Sequence, residues 1–217
     1  TGSILRSTEC EVFRRLEDVL DDSFIVFYSR PWLGLKPDGE EIDGECDFVI
    51  ANAELGMLTL EVKGGAVAFD PRTDQWTSRD RWNITHYIKN PVHQARRAKH
   101  ELLKKLNETP HWNVRRIRAR HGELLPHSSA PPGDLGADMP QRIFCFAERF
   151  EQDLREWILE RFGNVPPDKV RTGKLGADGL KALEKILAHP FQLRTPLGSL
   201  ISRDETSLKF LTQQQFH

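Results

Sequence analysis

Glu61 and Lys63 stand two residues apart in "GMLTLEVKGG" (residues 56–65), and Asp47 stands in the preceding apolar stretch "ECDFVIAN". Leu58, Leu60 and Val62 alternate as in a half-buried strand, so Thr59, Glu61 and Lys63 share the other face. A short turn near Ala53–Gly56 makes the two stretches a hairpin and sets Asp47 beside the Glu61 strand. If the Asp47 and Glu61 faces coincide, two carboxylates and an ammonium converge. Such carboxylates repel each other unless a cation lies between them, and their hard oxygens suit Mg²⁺ or Mn²⁺. Lys63 would orient a water or stabilise charge building on a phosphate. The chemistry is metal-assisted phosphodiester hydrolysis. On an open sheet the same residues form a solvated ion pair, and spacing alone does not separate the two readings.

A third carboxylate is available in "STECEVFRRLEDVL" (residues 7–20), where Val12, Phe13, Leu16, Val19 and Leu20 recur at helical spacing after Ser7 or Thr8 as N-cap. Helical phase turns Glu9 toward the apolar stripe and Glu11 away from it, among Arg14, Arg15 and Asp18. Glu9 is then either an inward-facing ligand or a first-turn acid favoured by the helix dipole. "NPVHQARRAKHELLKKLNE" is a helix opened by Asn90-Pro91 and stopped before Pro110. Its stripe of Gln94, Ala98, Leu102 and Leu106 turns Gln94 toward the sheet, to bond a phosphate or ligand carboxylate or to serve structure alone. His93 reads as a surface residue. Arg96, Arg97 and Lys99 are candidates for DNA phosphate contacts, against the alternative of a solvated helix face.

The elements around these residues are an N-terminal helix, a strand in "SFIVFYSRPW" and a turn-rich connection through "PWLGLKPDGEEIDGE". The hairpin follows, with "MLTLEVKGGAVAFD" as its second strand. Next come the basic helix, a strand in "NVRRIRARHGELL", a Pro/Gly-rich loop, a short strand in "RIFCFAE", and helices in "QDLREWILERFG" and "LGADGLKALEKILAHP". That order predicts an α/β domain with a helix packed on a three-stranded meander. Trp76 is expected in the core, Trp32 and Trp82 are open between core and base stacking, and Gly64-Gly65 is either a bulge or a place of close approach.

The chain has 217 residues, 29% charged and 38% hydrophobic, with net charge −1. Its charge is uneven. Residues 1–56 hold 13 Asp/Glu against 5 Lys/Arg, and residues 89–121 hold 10 Lys/Arg against Glu101 and Glu108. An acidic half beside a basic stretch suits a cation site next to a phosphate-binding face, or a merely dipolar surface. The 3 cysteines, Cys10, Cys46 and Cys145, lack metal-like spacing, which leads us to expect reduced thiols and a cytoplasmic location. No His/Cys pattern suggests zinc, and no G-x-x-x-x-G-K-S/T loop suggests ATP hydrolysis by this chain.

The blocks "STECEVFRRL", "GECDFVIAN", "GMLTLEVKGG", Gln75-Trp76 and "NPVHQARRAKHELLKKL", in this order, resemble the nuclease-related domain (NERD), placed in the PD-(D/E)XK superfamily of restriction-endonuclease-like nucleases. The resemblance spans about residues 7–107. It implies a restriction-endonuclease-like core, a mixed central β-sheet flanked by helices, acting as a Mg²⁺- or Mn²⁺-dependent deoxyribonuclease. By it, Glu9 matches the first-helix carboxylate, Asp47 the central metal ligand, Glu61 and Lys63 the Glu-x-Lys pair, and Gln94 the glutamine of the following helix. The metal ligands are then Asp47, Glu61 and Glu9, and the partner is DNA. Glu45 falls on a commonly acidic position. Cys46 stands where the superfamily's name puts proline, a departure that removes no ligand. Such domains often precede helicase domains, and "SLKFLTQQQFH" (residues 207–217) looks like the opening segment of a superfamily 1 DNA helicase. The resemblance thus implies a nuclease-like domain over 4–165, a helical extension over 166–190 and a linker over 191–217 leading toward a helicase.

Overall fold

Every residue of β4 (Phe48–Asn52) and β5 (Gly56–Val62) is buried, so this hairpin is covered on both faces and is not half-buried as its alternation predicts. The computed structural model describes residues 2–28, 32–35, 41–44, 46–110, 112, 116–164 and 173–187, with side chains excepted in 2–7, 32–35 and 41–44. β1 (Phe24–Tyr28) and β5 flank β4 antiparallel, while β9 (Ala119–Leu125) lies parallel to β5 and β10 (Phe144–Phe146) parallel to β9. The result is a five-stranded mixed sheet in the order β1-β4-β5-β9-β10, flanked by helices and compatible with a restriction-endonuclease-like core.

Strand alternation divides the core in two. On one face Phe48, Ile50, Leu58, Leu60 and Val62 meet Val12, Leu16 and Leu20 of α1 (Gly2–Val19). Phe150 of α3 (Ala147–Gln152) and Leu154, Trp157 and Ile158 of α4 (Leu154–Arg161) complete that layer. On the other face Val49, Ala51 and Met57 meet Ala98, Leu102 and Leu106 of α2 (Pro91–Glu108), backed by Ala182, Leu183 and Leu187 of α5 (Gly176–Leu187). α2 begins where the local signals put it: Asn90 Oδ1 accepts from the N–H groups of Val92 (3.0 Å) and His93 (3.2 Å), with Pro91 at the first turn.

Three further expectations are corrected. The turn-rich connection contains a two-stranded hairpin, β2 (Trp32–Leu35) with β3 (Glu41–Gly44), since turn residues between apolar runs are what a hairpin also requires. "MLTLEVKGGAVAFD" is two strands: β5 ends at Val62, and Gly64-Gly65 redirects the chain into β6 (Ala66–Asp70). β6 joins β7 (Gln75–Arg79) and β8 (Thr85–Ile88) in a separate antiparallel sheet anchored by Trp76, which packs with Phe69 and Phe144. Third, α1 begins well before Ser7 and Thr8, so neither caps it. Thr8 is buried inside the helix, its Oγ1 close to Gly64.

Candidate active site

The β4–β5 register, with Phe48 opposite Leu60, runs one step further to set Asp47 opposite Glu61. Both share the α2 face with Thr59, whose Oγ1 donates to Ala95 O at 2.9 Å. Asp47 Oδ2 accepts from Val62 N–H at 2.7 Å, which fixes the carboxylate across the mouth of the hairpin. Lys63 turns its ammonium back onto Glu61, Nζ to Oε1 2.6 Å, and its N–H donates to Leu124 O, pinning the end of β5 to β9. Burial holds the Asp47 carboxyl well above the usual carboxylate range. Glu61 and Glu9 push it the same way, while the Val62 N–H and Lys63 oppose them. The acid pair is thus desolvated and mutually repulsive.

Glu9 reaches this end of the sheet from the opposite face, on α1. Tyr28, paired with Phe48 in the register, donates its hydroxyl to Glu9 Oε2 at 2.5 Å. Burial and then Glu9 hold that phenol protonated. Because α1 starts at Gly2, Glu9 lies outside the first turn, and the helix-dipole explanation for it falls away. Glu11 instead faces outward, 2.9 Å from His127 Nε2. Cys46 packs fully buried, its thiol donating to Phe48 O (3.0 Å) and Leu60 O (3.3 Å). Burial, then Glu61 and Asp47, push its pKa up, so it is a neutral packing group.

Among the described residues no three His, Cys, Asp or Glu side chains form a group that could hold a metal ion. Glu9, Asp47 and Glu61 approach from two faces, and each has an oxygen on a protein donor: Tyr28 hydroxyl, Val62 N–H and Lys63 ammonium. The donor set still fits Mg²⁺ or Mn²⁺, because Mg²⁺ commonly uses one or two carboxylates and completes its shell with water and substrate phosphate. Two further oxygen-bearing groups lack a donor. Gln94 Oε1, on the sheet side of α2, is buried without a hydrogen-bond partner, and so are both carboxylate oxygens of Glu123.

Glu123 is the residue that sequence reasoning missed. It pairs with Glu61 in the parallel β5–β9 register and is 0% exposed. Burial holds its carboxyl well above the usual range, with Arg161 and Arg96 opposing and Glu61 reinforcing. Its signal was a single acid inside "RHGELL", and only the long-range register gives that acid meaning.

The basic candidates separate. Arg97 is exposed, while Arg96 is half-buried and pairs with Asp138 (Nη2 to Oδ2 3.1 Å). Lys99 lies half-buried, 3.5 Å from His121 Nδ1. Burial, then the charges of Arg120, Arg96 and Arg161, lower the Lys99 pKa. Four like charges gathered on one flank of α2 favour a polyanion there. Glu45 and the side chain of Trp32 lie outside the described residues, as does "SLKFLTQQQFH".

No curated protein and no solved structure gives a significant match to the chain. The family model of the nuclease-related domain matches residues 6–119, a span from α1 to the start of β9 that holds Glu9, Asp47, Glu61, Lys63 and Gln94, and on that match the chain belongs to the nuclease-related domain (NERD) family.

Proposed function

We propose that this chain is a divalent-metal-dependent deoxyribonuclease of the PD-(D/E)XK type. The observation that carries the reading is the half-buried Asp47 beside the buried Glu61, with Lys63 on Glu61, at the mouth of the β4–β5 hairpin inside the family's span. Asp47 and Glu61 would hold Mg²⁺ or Mn²⁺, with Glu9 in reserve through water. When bound, the ion supplies Lewis-acid activation of the phosphoryl group and of a water. Lys63, 2.6 Å from Glu61, would set its positive charge beside the phosphoryl group on which negative charge gathers. Gln94 offers its amide to the scissile phosphate or to a ligand carboxylate. Arg96 and Lys99 hold neighbouring phosphates, with Arg97 contributing at longer range.

Incubating the protein with linear, circular and single-stranded DNA, with Mg²⁺, Mn²⁺ or chelator, tests this directly. Cleavage that needs metal and disappears in Asp47→Ala, Glu61→Ala and Lys63→Ala is the expected result. A second reading, a DNA-binding module without turnover, draws on the protein donors already engaging all three carboxylates. It predicts salt-sensitive DNA binding and no cleavage under any of these conditions.

The nuclease reading extends to a larger nuclease–helicase, on the resemblance of "SLKFLTQQQFH" to a helicase opening. A tethered motor would deliver strand to the site at high effective concentration. A phosphate-binding Gly-Lys-Thr/Ser loop downstream in the parent reading frame is the expected finding, and a frame without one removes this extension.

A further inference from the structure

Trp82 (58% exposed), Ile84 (55%) and Tyr87 (76%) are the large hydrophobic residues left open to solvent among the described residues, Tyr87 on β8 and the other two in the turn that leads into it. Alternation explains the placement. One face of β6–β8 carries Val67, Phe69, Trp76 and Ile88 and packs on Phe144 and Phe146. The other carries Tyr87 directly across from Thr77, with Arg79 and Thr85 toward the turn and Asp70 and Gln75 at the far end. Small neighbours leave the faces of the Tyr87 ring uncovered. At the edge, the turn between β7 and β8 presents Trp82 with the Arg81 guanidinium 4.4 Å above its ring. An isolated apolar side chain on a surface needs no explanation, but two exposed aromatic rings, one on a solvent face beside Arg79 and one in the adjoining turn under Arg81, do.

The sheet's acids are largely tied to their own turns. Asp80 accepts from the N–H groups of Trp82 and Ile84 and pairs with His86, and Asp70 accepts from Arg72 N–H and the Thr73 hydroxyl. Arg72, Arg79 and Arg81 balance Asp70, Asp74 and Asp80 over the sheet, and Arg79 and Arg81 stand together at one end of it. At the end of this face a groove of about 420 Å³ is lined by Thr8, Gly65, Ala66, Arg79, Arg81 and His127, with Asp80 also on its wall. Gly65 follows directly on Lys63-Gly64, and Thr8 precedes Glu9, so the groove lies two residues along the chain from Lys63 and one from Glu9. The junction is held firmly: Ser78 Oγ donates to Gly64 O at 2.6 Å, and Ser128 Oγ accepts from Val67 N–H at 2.9 Å.

We propose that the solvent face of β6–β8 and its Arg81-Trp82 turn form a stacking platform for single-stranded nucleic acid, leading a strand along the Arg79–His127 groove to the candidate site. Every base offers a π-face, so an aromatic pair with arginines beside it holds a strand without reading its sequence. A duplex hides those faces. The proposal rests on the nuclease reading only for the destination of the strand, because the platform itself binds without metal.

The test uses the intact chain, a fluorescent 20-nucleotide oligo-dT and a blunt 20-base-pair duplex, with chelator present. Tighter binding to the single strand is expected, weakened by about 5- to 150-fold for each ring in Trp82→Ala and Tyr87→Ala. Trp82→Phe and Tyr87→Phe should recover most of it, and Arg79→Gln with Arg81→Gln should flatten the salt dependence. Melting temperatures should hold in all of these variants, as the side chains are exposed. Unchanged affinity in the Trp82→Ala/Tyr87→Ala double variant overturns the platform and leaves these residues as a protein-contact surface. A preference for duplex overturns it equally. Single-strand binding with no metal-dependent cleavage keeps the platform and removes the nuclease reading, whereas cleavage with unaltered double-variant binding does the reverse.

Discussion

The two sheets of this protein break the ordinary rule of burial in opposite directions. The five-stranded sheet desolvates acids: Glu61 and Glu123 are buried in its α2 face beside the half-buried Asp47, and Glu61 raises the proton affinity of both neighbours. The three-stranded sheet exposes aromatic surface at Trp82 and Tyr87. Both departures cost free energy if nothing binds, one through desolvation and repulsion and the other through wetted apolar area. A fold keeps such costs where a ligand offsets them, and the two regions point to ligands of complementary kind, a cation for the acids and bases for the rings. They meet at Lys63-Gly64-Gly65, the short segment where one sheet becomes the other.

Tryptophan gives the largest contrast. Trp157 is 0% exposed, packs under the central sheet, and donates its indole N–H to Arg142 O at 3.2 Å. Trp157→Ala should lose about 3–5 kcal/mol and melt many degrees lower. Trp82→Ala, in the turn of the small sheet, should stay within about 0.5 kcal/mol of the parent. Chemical denaturation of the two variants side by side is the measurement. Comparable losses would mean that the small sheet is integral to the core and is no ligand-facing appendage.

Asp47→Asn comes next. It keeps an acceptor for Val62 N–H while removing a half-buried charge that repels Glu61. Metal-dependent cleavage should fall by about 100- to 1,000-fold, or about 2.7–4 kcal/mol of transition-state stabilisation. Without metal the variant should melt no lower than the parent. The parent alone should gain melting temperature in millimolar Mn²⁺, because a ligand that binds only the folded state stabilises it. A variant that melts several degrees lower without metal would show that Asp47 serves structure first.

The junction offers a smaller effect. Gly65 has φ +76°, and a Cβ there would lie 2.5 Å from Arg79 O. Gly65→Ala strains the backbone and pushes β6 off β7, for a cost of about 1–3 kcal/mol. Activity on single strands should fall further than activity on duplex, since the variant shifts the groove while leaving Asp47 and Glu61 in place. Equal loss on both substrates would separate the junction from strand delivery.

The legible parts of this fold were those written in local signals. The Asn90-Pro91 opening of α2, the alternation through Leu58–Val62 and the turn at Ala53–Gly56 each depend on a few adjacent residues, and they placed Glu61 and Gln94 on the right elements, with Asp47 and Lys63 one residue outside the strand ends. The rest depended on partners far along the chain. Thr8 carries a cap's chemistry, yet the helix runs past it and its hydroxyl lies by Gly64. Glu123 looks like an ordinary strand acid until β9 aligns with β5 and sets it against Glu61. β5 looked half-buried because periodicity reports one apolar face, and Thr59 and Glu61 are buried only because α2 lies over them.

The smallest expected effect concerns His121, two residues before Glu123 on the same strand and under the basic flank of α2. Burial first, then the charges of Lys99, Arg161, Arg96 and His100, lower its pKa from the usual 6.5 to about 3. The imidazole is therefore neutral in the fold at pH values where the unfolded chain protonates it. A base with a depressed folded pKa is neutral-pH stabilised: the stability is full above about pH 6.5 and is lost progressively as the pH falls toward 3. His121→Gln removes the titration while keeping a polar side chain near Lys99. Acid-exposed carboxylates elsewhere affect both proteins alike, so the difference between their melting curves isolates this one group. That difference should be constant from pH 8 to about 7 and then close steadily, the variant gaining on the parent by a few degrees toward pH 5. Parallel curves across the whole range would mean that His121 is solvated enough to titrate normally, and that the α2 flank is less desolvated than the acid cluster beside it.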